Sequence, residues 1–175
     1  GGFGVEARAF FAGCTCVSCD EKWNPKHFAT VCAASAVTHT SLVPTQVFDI
    51  VQAGIVAPTS LRAVVVGGGA LVPALWTAAR ALGWPVLASY GLTEAASQVA
   101  TQSMDATDSQ ELEILPHWHV ETDAHQRAVL SGPALATCHF EKSGENWQRV
   151  DFDGRFVTAD RVEIRNRRLH FLGRA

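Results

Sequence analysis

Leu61 to Val66 (Leu-Arg-Ala-Val-Val-Val) runs straight into Gly67-Gly68-Gly69, and this passage most narrows what the chain can become. A β-branched, nearly uncharged run is the mark of a strand covered on both faces, as in a parallel sheet layered between helices. A glycine turn follows, then a helix from Pro73 to Leu82 closed by Gly83. The same grammar recurs on either side. Asn24 caps a helix with Pro25 at its first position, and Phe28, Val31, Cys32 and Ser35 share one face. Val37 to Val43 reads as a strand with Thr38 and Thr40 interleaved. Pro44 opens a further helix with Val47, Ile50 and Val51 as its apolar stripe and Gly54 as its stop. Phe10 to Cys19 reads as a helix end followed by a strand, and Pro85 to Tyr90 as the last strand of the series. Strands alternating with short helices predict an α/β fold with a mostly parallel sheet and flanking helices.

The pattern changes after Met104. Residues 104–110 are polar and read as a linker. Beyond them Glu111–Leu115, Trp118–Thr122, Arg127–Leu130, Gly154–Thr158, Arg161–Arg165 and Leu169–Leu172 are short strand candidates. Val162 and Ile164 alternate with charged neighbours, and Asn166-Arg167-Arg168 can turn that strand into the next. The expected organisation is an α/β subdomain over 1–104 and a small antiparallel, β-barrel-like subdomain over 105–175.

A formal net charge of -3 gives no support to a nucleic-acid partner or a membrane-surface role. No apolar stretch approaches the roughly 20 residues that span a bilayer. Gly1-Gly2-Phe3-Gly4 is not a secretory signal, so no membrane insertion is expected. Five cysteines, an odd number, argue for a reducing compartment and hence a cytoplasmic protein. Cys14, Cys16 and Cys19 have a spacing that invites zinc, with His27 as a forced fourth ligand. Burial in a strand is the favoured reading. The abrupt ends, glycines at the start and Gly173-Arg174-Ala175 after a strand pattern, read as a piece of a larger protein.

Three segments can carry chemistry. Ser89 to Gln98 follows a strand and holds Tyr90, the only tyrosine of the chain, with Gly91, Thr93 and Glu94. Ligands of open α/β sheets sit beyond the carboxyl ends of strands. A hydroxyl beside a carboxylate suits a phosphate with its Mg²⁺. Thr93 capping a helix, with Glu94 in its first turn, is an equal alternative. Gly67, Gly68 and Gly69 form either a tight structural turn or a wall on which a flat ligand lies; the spacing is not a dinucleotide fingerprint. Asp160, in Thr158-Ala159-Asp160 between two strands, either accepts from vicinal hydroxyls or caps a turn. The histidines are scattered and no G-x-S-x-G elbow occurs.

Tyr90-Gly91-Leu92-Thr93-Glu94 resembles the Y-G-x-T-E signature of the adenylate-forming enzymes: acyl-CoA synthetases, luciferases and adenylation domains. Gly67-Gly68-Gly69 resembles that family's upstream glycine turn. Phe156 to Asp160, followed by Leu169 to Arg174, resembles its F-x-T-G-D and later G-R. Thr40 to Gln46, Leu115 to Trp118 and Ser131 to Ala136 are similar to the o-succinylbenzoate–CoA ligases of menaquinone biosynthesis.

The resemblance implies ATP, Mg²⁺ and CoA as cofactors and a small-molecule carboxylate as substrate, and it leaves a homo-oligomer open. It implies that Tyr90 stacks near adenine, with Gly91 in the same signature, and that Gly67, Gly68 and Gly69 form a wall. Thr93 would meet the α-phosphate, Glu94 would hold Mg²⁺, and Asp160 would hold the ribose with help from Arg174. Stretches near Pro44, Thr45 and Ser97 would border the acyl pocket. The family's phosphate loop and lysine-bearing C-terminal domain are expected outside this sequence. Ala159 stands where the family has glycine, a mild change unless the backbone there is left-handed. The alternatives are another aryl- or fatty-acyl-CoA synthetase, or a non-catalytic nucleotide-binding relic.

Overall fold

The computed structural model describes residues 2–19, 21–108 and 110–174. The terminal residues Gly1 and Ala175, and Ser109 in the expected linker, lie outside the described residues. The chain divides into two compact units, residues 1–89 with 102–109, and residues 90–101 with 110–175.

The first unit holds helices α1 (Gly2–Phe11), α2 (Pro25–Ala34), α3 (Pro44–Gln52) and α4 (Pro73–Ala81) with strands β1 (His39–Leu42) and β2 (Ala63–Val66). Strand β3 (Val86–Leu92) begins in this unit and carries its last three residues into the second. Proline opens α2, α3 and α4, where a missing N–H costs nothing. The Asn24 side chain accepts from His27 N at 3.0 Å, and the Gln46 side chain accepts from Val43 N at 3.0 Å. Gly54 and Gly83, at φ +61° and +83°, close α3 and α4 in the left-handed conformation that glycine adopts without strain.

β1 pairs with β2, and β2 with β3, both in parallel, with Val64 opposite Thr40 on one side and Val86 on the other. Val64 and Val86 are fully buried, together with Val47, Ile50 and Ala79 from the helices. The indole of Trp84 stacks on Phe28 at 6.3 Å and donates to Ile55 O at 2.8 Å, so its polar atom is satisfied inside the core.

The strand expected over Cys14 to Cys19 does not form. Those residues follow the Gly13 turn without regular structure, and Cys14, Cys16 and Cys19 are exposed. Every residue of 14–19 faces solvent, so no apolar side exists to bury and no ladder takes the segment. Only Cys32, on α2, matches the buried-cysteine expectation. Among the described residues no group of three or more His, Cys, Asp or Glu side chains could hold a metal.

The second unit is built from β4 (Ser97–Thr101), β5 (Leu112–Ile114), β6 (His119–Thr122), β7 (Arg127–Ser131), β8 (Cys138–Ser143), β9 (Asn146–Asp151), β10 (Phe156–Arg165) and β11 (Arg168–Arg174). Their order is β4-β5-β11-β10-β7-β6, with β8-β9 as a separate hairpin, and these pairs are antiparallel. The order does not return on itself, so no closed barrel forms among the described residues. Leu130, Leu169 and Val162 fill the core with Trp118, which donates to Gln98 O at 2.9 Å. Asn166 and Arg167, both at positive φ, make the two-residue turn from β10 to β11.

Candidate functional site

The end of β3 leads into the site of the second unit. Tyr90 is 8% exposed, and its hydroxyl donates to Asp160 Oδ2 at 2.9 Å across 70 positions of sequence. Arg174 Nε donates to the other carboxylate oxygen, Asp160 Oδ1, at 3.0 Å. Register explains that meeting, because Asp160 on β10 lies directly opposite Arg174 on β11. A bulge between Arg161 and Val162 shifts the ladder just there. Bulges are a common means of re-aiming a side chain beside a site. The Phe171 ring lies 6.2 Å from that of Tyr90.

Thr158 and Asp160 are both buried, and their atoms interlock. Asp160 N donates to Thr158 Oγ1 at 3.0 Å, and that hydroxyl donates to Asp160 O at 3.3 Å. Sequence reading places this tripeptide between two strands. It lies instead inside the single strand β10, so the turn-cap alternative for Asp160 falls away. Ala159 is not among the residues at positive φ, so alanine in place of the family's glycine costs no strain. Burial pushes the Tyr90 phenol well above its ordinary range, the Asp160 charge adds to that, and Thr158 and Arg174 partly offset it. Tyr90 therefore stays a hydrogen-bond donor to a carboxylate.

Thr93 and Glu94 lie in a single 3-10 turn, Thr93–Ala95, with Leu92 at the cap position. No helix follows for Thr93 to cap. Glu94 O accepts from Ala136 N at 2.7 Å, which pins the turn to the Gly132–Thr137 loop. Among the described residues no hydrogen bond or ion pair engages the Thr93 hydroxyl or the Glu94 carboxylate. Thr93 is exposed and Glu94 half-exposed, so both are available to a ligand. The turn ends on Ala96 and Ser97 at φ +48° and +110°, angles that cost non-glycine residues energy and cluster at functional sites. Gly91 is required by a close approach: a Cβ there would lie 1.6 Å from Ser97 O.

In the first unit Gly67, Gly68 and Gly69 follow β2. Only Gly68 has positive φ, +78°. A Cβ on Gly67 would meet Ser89 Oγ at 3.0 Å, and one on Gly69 would meet Pro44 Cγ at 3.5 Å. Ser89 itself donates to Val66 O at 3.1 Å. Packing alone thus accounts for Gly67. Gly68 and Gly69 are exposed and leave peptide groups bare.

Tyr90, Asp160 and Arg174 are thus joined directly, and Thr93 and Glu94 sit free-handed in the turn that follows Tyr90. Sequence reasoning missed Thr158 and Phe171 as neighbours of this cluster. Thr158 was legible as a hydroxyl two positions before the aspartate. Nothing in the spacing marked Phe171, since the bulge in the β10–β11 ladder decides what it faces.

Residues 2–127 match the AMP-binding enzyme family. A 2-succinylbenzoate–CoA ligase of Escherichia coli (strain K12) is 32% identical over 137 residues, which is 78% of this chain and 29% of that relative. The corresponding ligase of Staphylococcus epidermidis is 36% identical over 102 residues, 58% of this chain and 21% of the relative. The chain therefore spans less than a third of the length of these curated relatives. A solved structure of Escherichia coli MenE with a bound analogue of OSB-AMS superposes with TM-score 0.76 at 30% identity, covering 99% of this chain and 37% of that one. The Bacillus subtilis MenE complex with AMP has TM-score 0.83 at 22% identity, over 99% of this chain and 38% of that one, and shows the fold alone. By its family match over residues 2–127, the chain belongs to the AMP-binding enzymes.

Proposed function

We propose that this chain is part of an ATP-dependent acyl-CoA ligase that activates o-succinylbenzoate, in menaquinone biosynthesis, as an acyl-adenylate and then transfers it to CoA. The observation that carries this reading is the Tyr90–Asp160–Arg174 cluster: an aromatic ring, a buried carboxylate held by two donors, and free lone pairs left on that carboxylate. The family membership and the names of the relatives support the substrate.

In this reading Asp160 accepts from the ribose hydroxyls, Tyr90 and Gly91 lie along the adenine, and Arg174 steadies the carboxylate. Gly67, Gly68 and Gly69 of the first unit form a wall for a flat ligand, Gly68 and Gly69 with exposed peptide groups and Gly67 held by its N–H to Leu42 O. The stretches near Pro44, Thr45 and Ser97 border the acyl group. Thr93 donates to the α-phosphate. Glu94 fits Mg²⁺, since its carboxylate is half-exposed and unengaged beside a free hydroxyl. Bound there, the cation would offset phosphoryl charge. The carboxylate substrate attacks the α-phosphorus and pyrophosphate leaves. The CoA thiolate then attacks the acyl carbonyl and AMP leaves. No residue described here forms a covalent bond, so these side chains work by positioning and polarising.

The division into a large-domain piece over 1–104 and a β-rich piece over 105–175 belongs to the same proposal. So do a mostly parallel sheet in the first of these pieces, and a phosphate loop and lysine domain elsewhere in the complete protein. A cytoplasmic site of action is proposed on the cysteine count; no helix among the described residues is long and apolar enough to cross a membrane.

The test uses the complete enzyme with ATP, CoA and a panel of o-succinylbenzoate, benzoates and fatty acids. A clear preference for o-succinylbenzoate is expected, and its absence removes the substrate assignment. Glu94→Gln should cut Mg²⁺-dependent adenylation about 100-fold or more, the scale of losing one electrostatic stabiliser, with the thermal midpoint unchanged. Normal activity in that variant takes Glu94 out of the metal site.

A further inference from the structure

We propose that the hydroxyls of Tyr90 and Thr158 are positioning groups that aim Asp160 at a ribose, and thereby set a preference for ribonucleotides over deoxyribonucleotides. This rests on the reading of Asp160 as the ribose ligand and adds what holds it in place.

The argument starts from the carboxylate. An ionised aspartate has about four lone-pair positions. The Tyr90 hydroxyl takes one on Oδ2 and Arg174 Nε takes one on Oδ1, so each oxygen keeps one for a vicinal hydroxyl. The two holders are not equal. The Arg174 side chain is 79% exposed while that of Asp160 is 11% exposed. An ion pair with one arm in water is screened and holds geometry weakly. Tyr90 is 8% exposed, and a buried bond to a charged acceptor is among the stronger ones a side chain makes.

Thr158 acts on the other end of the residue. Its hydroxyl bridges the Asp160 N–H and carbonyl, both from within the core, and fixes the backbone from which the carboxylate projects. Thr158, Asp160 and Gln102 are the buried polar side chains among the described residues, and Thr158 is spent on holding the backbone of Asp160. Stacking on adenine would use only the tyrosine ring. The hydroxyl has a separate task, and phenylalanine at position 90 separates the two.

The experiment measures KM and kcat for ATP and for 2′-deoxyATP in the complete enzyme, for wild type, Tyr90→Phe, Thr158→Val, Asp160→Asn and the Tyr90→Phe/Asp160→Asn double variant. Thermal midpoints establish that each is folded. Tyr90→Phe should lower the preference for ATP over 2′-deoxyATP about tenfold through KM, with little change in kcat. Thr158→Val should shift it in the same direction, and Asp160→Asn should abolish it. Tyr90→Phe should add nothing on the Asp160→Asn background, the signature of groups acting through one another.

Retention of the full ribose preference in both hydroxyl variants, with its loss in Asp160→Asn, overturns the positioning role and leaves the ribose reading standing. Retention in Asp160→Asn itself overturns that reading. Equal weakening of ATP and 2′-deoxyATP by Tyr90→Phe reduces its hydroxyl to a structural bond and also overturns the proposal. Should one hydroxyl variant fail to fold, the other carries the same comparison.

Discussion

A Cβ on Gly91 would lie 1.6 Å from Ser97 O and 2.6 Å from Ser97 C, backbone atoms that cannot swing aside as a side chain can. Gly91→Ala should therefore destabilise the protein by about 3 kcal/mol or more, the range of severe overpacking. Gly4→Ala is the control, since nothing lies within 4 Å of a Cβ there; alanine within a helix should add about 0.5–1 kcal/mol. Denaturant midpoints of the two variants check both signs, and a neutral Gly91→Ala would mean that β4 starts further from Gly91 than described. The sequence marks Gly91 as special but not why, because no spacing rule shows that positions 91 and 97 meet. Tyr90 offers a second check at this scale. It is the only tyrosine in the chain, so the tyrosinate absorbance of the folded protein reports it alone. Burial first, and the Asp160 charge next, raise its pKa. A raised folded pKa means that this contribution to stability is whole below the unfolded value of about 10 and is lost as pH climbs beyond it. The expected result is no tyrosinate signal at pH 10 until the chain unfolds; half-titration there would show the Tyr90–Asp160 bond to be absent.

The elements that were easiest to read are those punctuated by proline and glycine. Pro25, Pro44 and Pro73 open helices, and Gly54 and Gly83 close them, for local steric reasons that hold wherever the helix packs. Strands depend on partners, and there the reading falters. Gly154–Thr158 and Arg161–Arg165 look like two strands because Ala159-Asp160 breaks the alternation, yet β7 and β11 pair along one continuous β10. The β8–β9 hairpin carries mostly polar side chains, with Phe140 and Trp147 turned to solvent, so it has no apolar face to announce it. Cys14 to Cys19 shows the opposite error, a strand-like string that no ladder takes up. That difference can be measured. A small thiol reagent should modify Cys14, Cys16 and Cys19 quickly in the folded protein. Cys32, 2% exposed on α2, should react only as the chain unfolds. Burial, and to a lesser degree Cys19, also raises its pKa and depletes the reactive thiolate. Peptide-level mass spectrometry over a labelling time course would resolve the sites, and a Cys32 as fast as Cys14 would contradict its burial.

For the molecule as a whole, charge decides what these residues can do alone. Adenylation gathers negative charge on phosphoryl oxygens, and its transition state needs cations or donors aimed there. The turn at Thr93 and Glu94 supplies one hydroxyl and one further negative group. Arg174, the cation placed beside the cluster, is engaged by Asp160. The chain covers 29% of its Escherichia coli relative and 37% of the matching solved structure, so most of such an enzyme is contributed by other sequence. Residues 1–175 expressed alone should therefore release no pyrophosphate from ATP above background with o-succinylbenzoate and Mg²⁺ present. They should still bind AMP, because the Tyr90 ring, the Asp160 carboxylate proposed for the ribose and its holders are joined before any ligand arrives. Equilibrium dialysis with labelled AMP tests the second half, using Asp160→Asn as the comparison. Binding that is weak but lost in Asp160→Asn fits a preformed nucleotide corner without the means to drive chemistry. Substantial carboxylate-dependent pyrophosphate release from this chain would instead show that the charge needed for adenylation is supplied within residues 1–175.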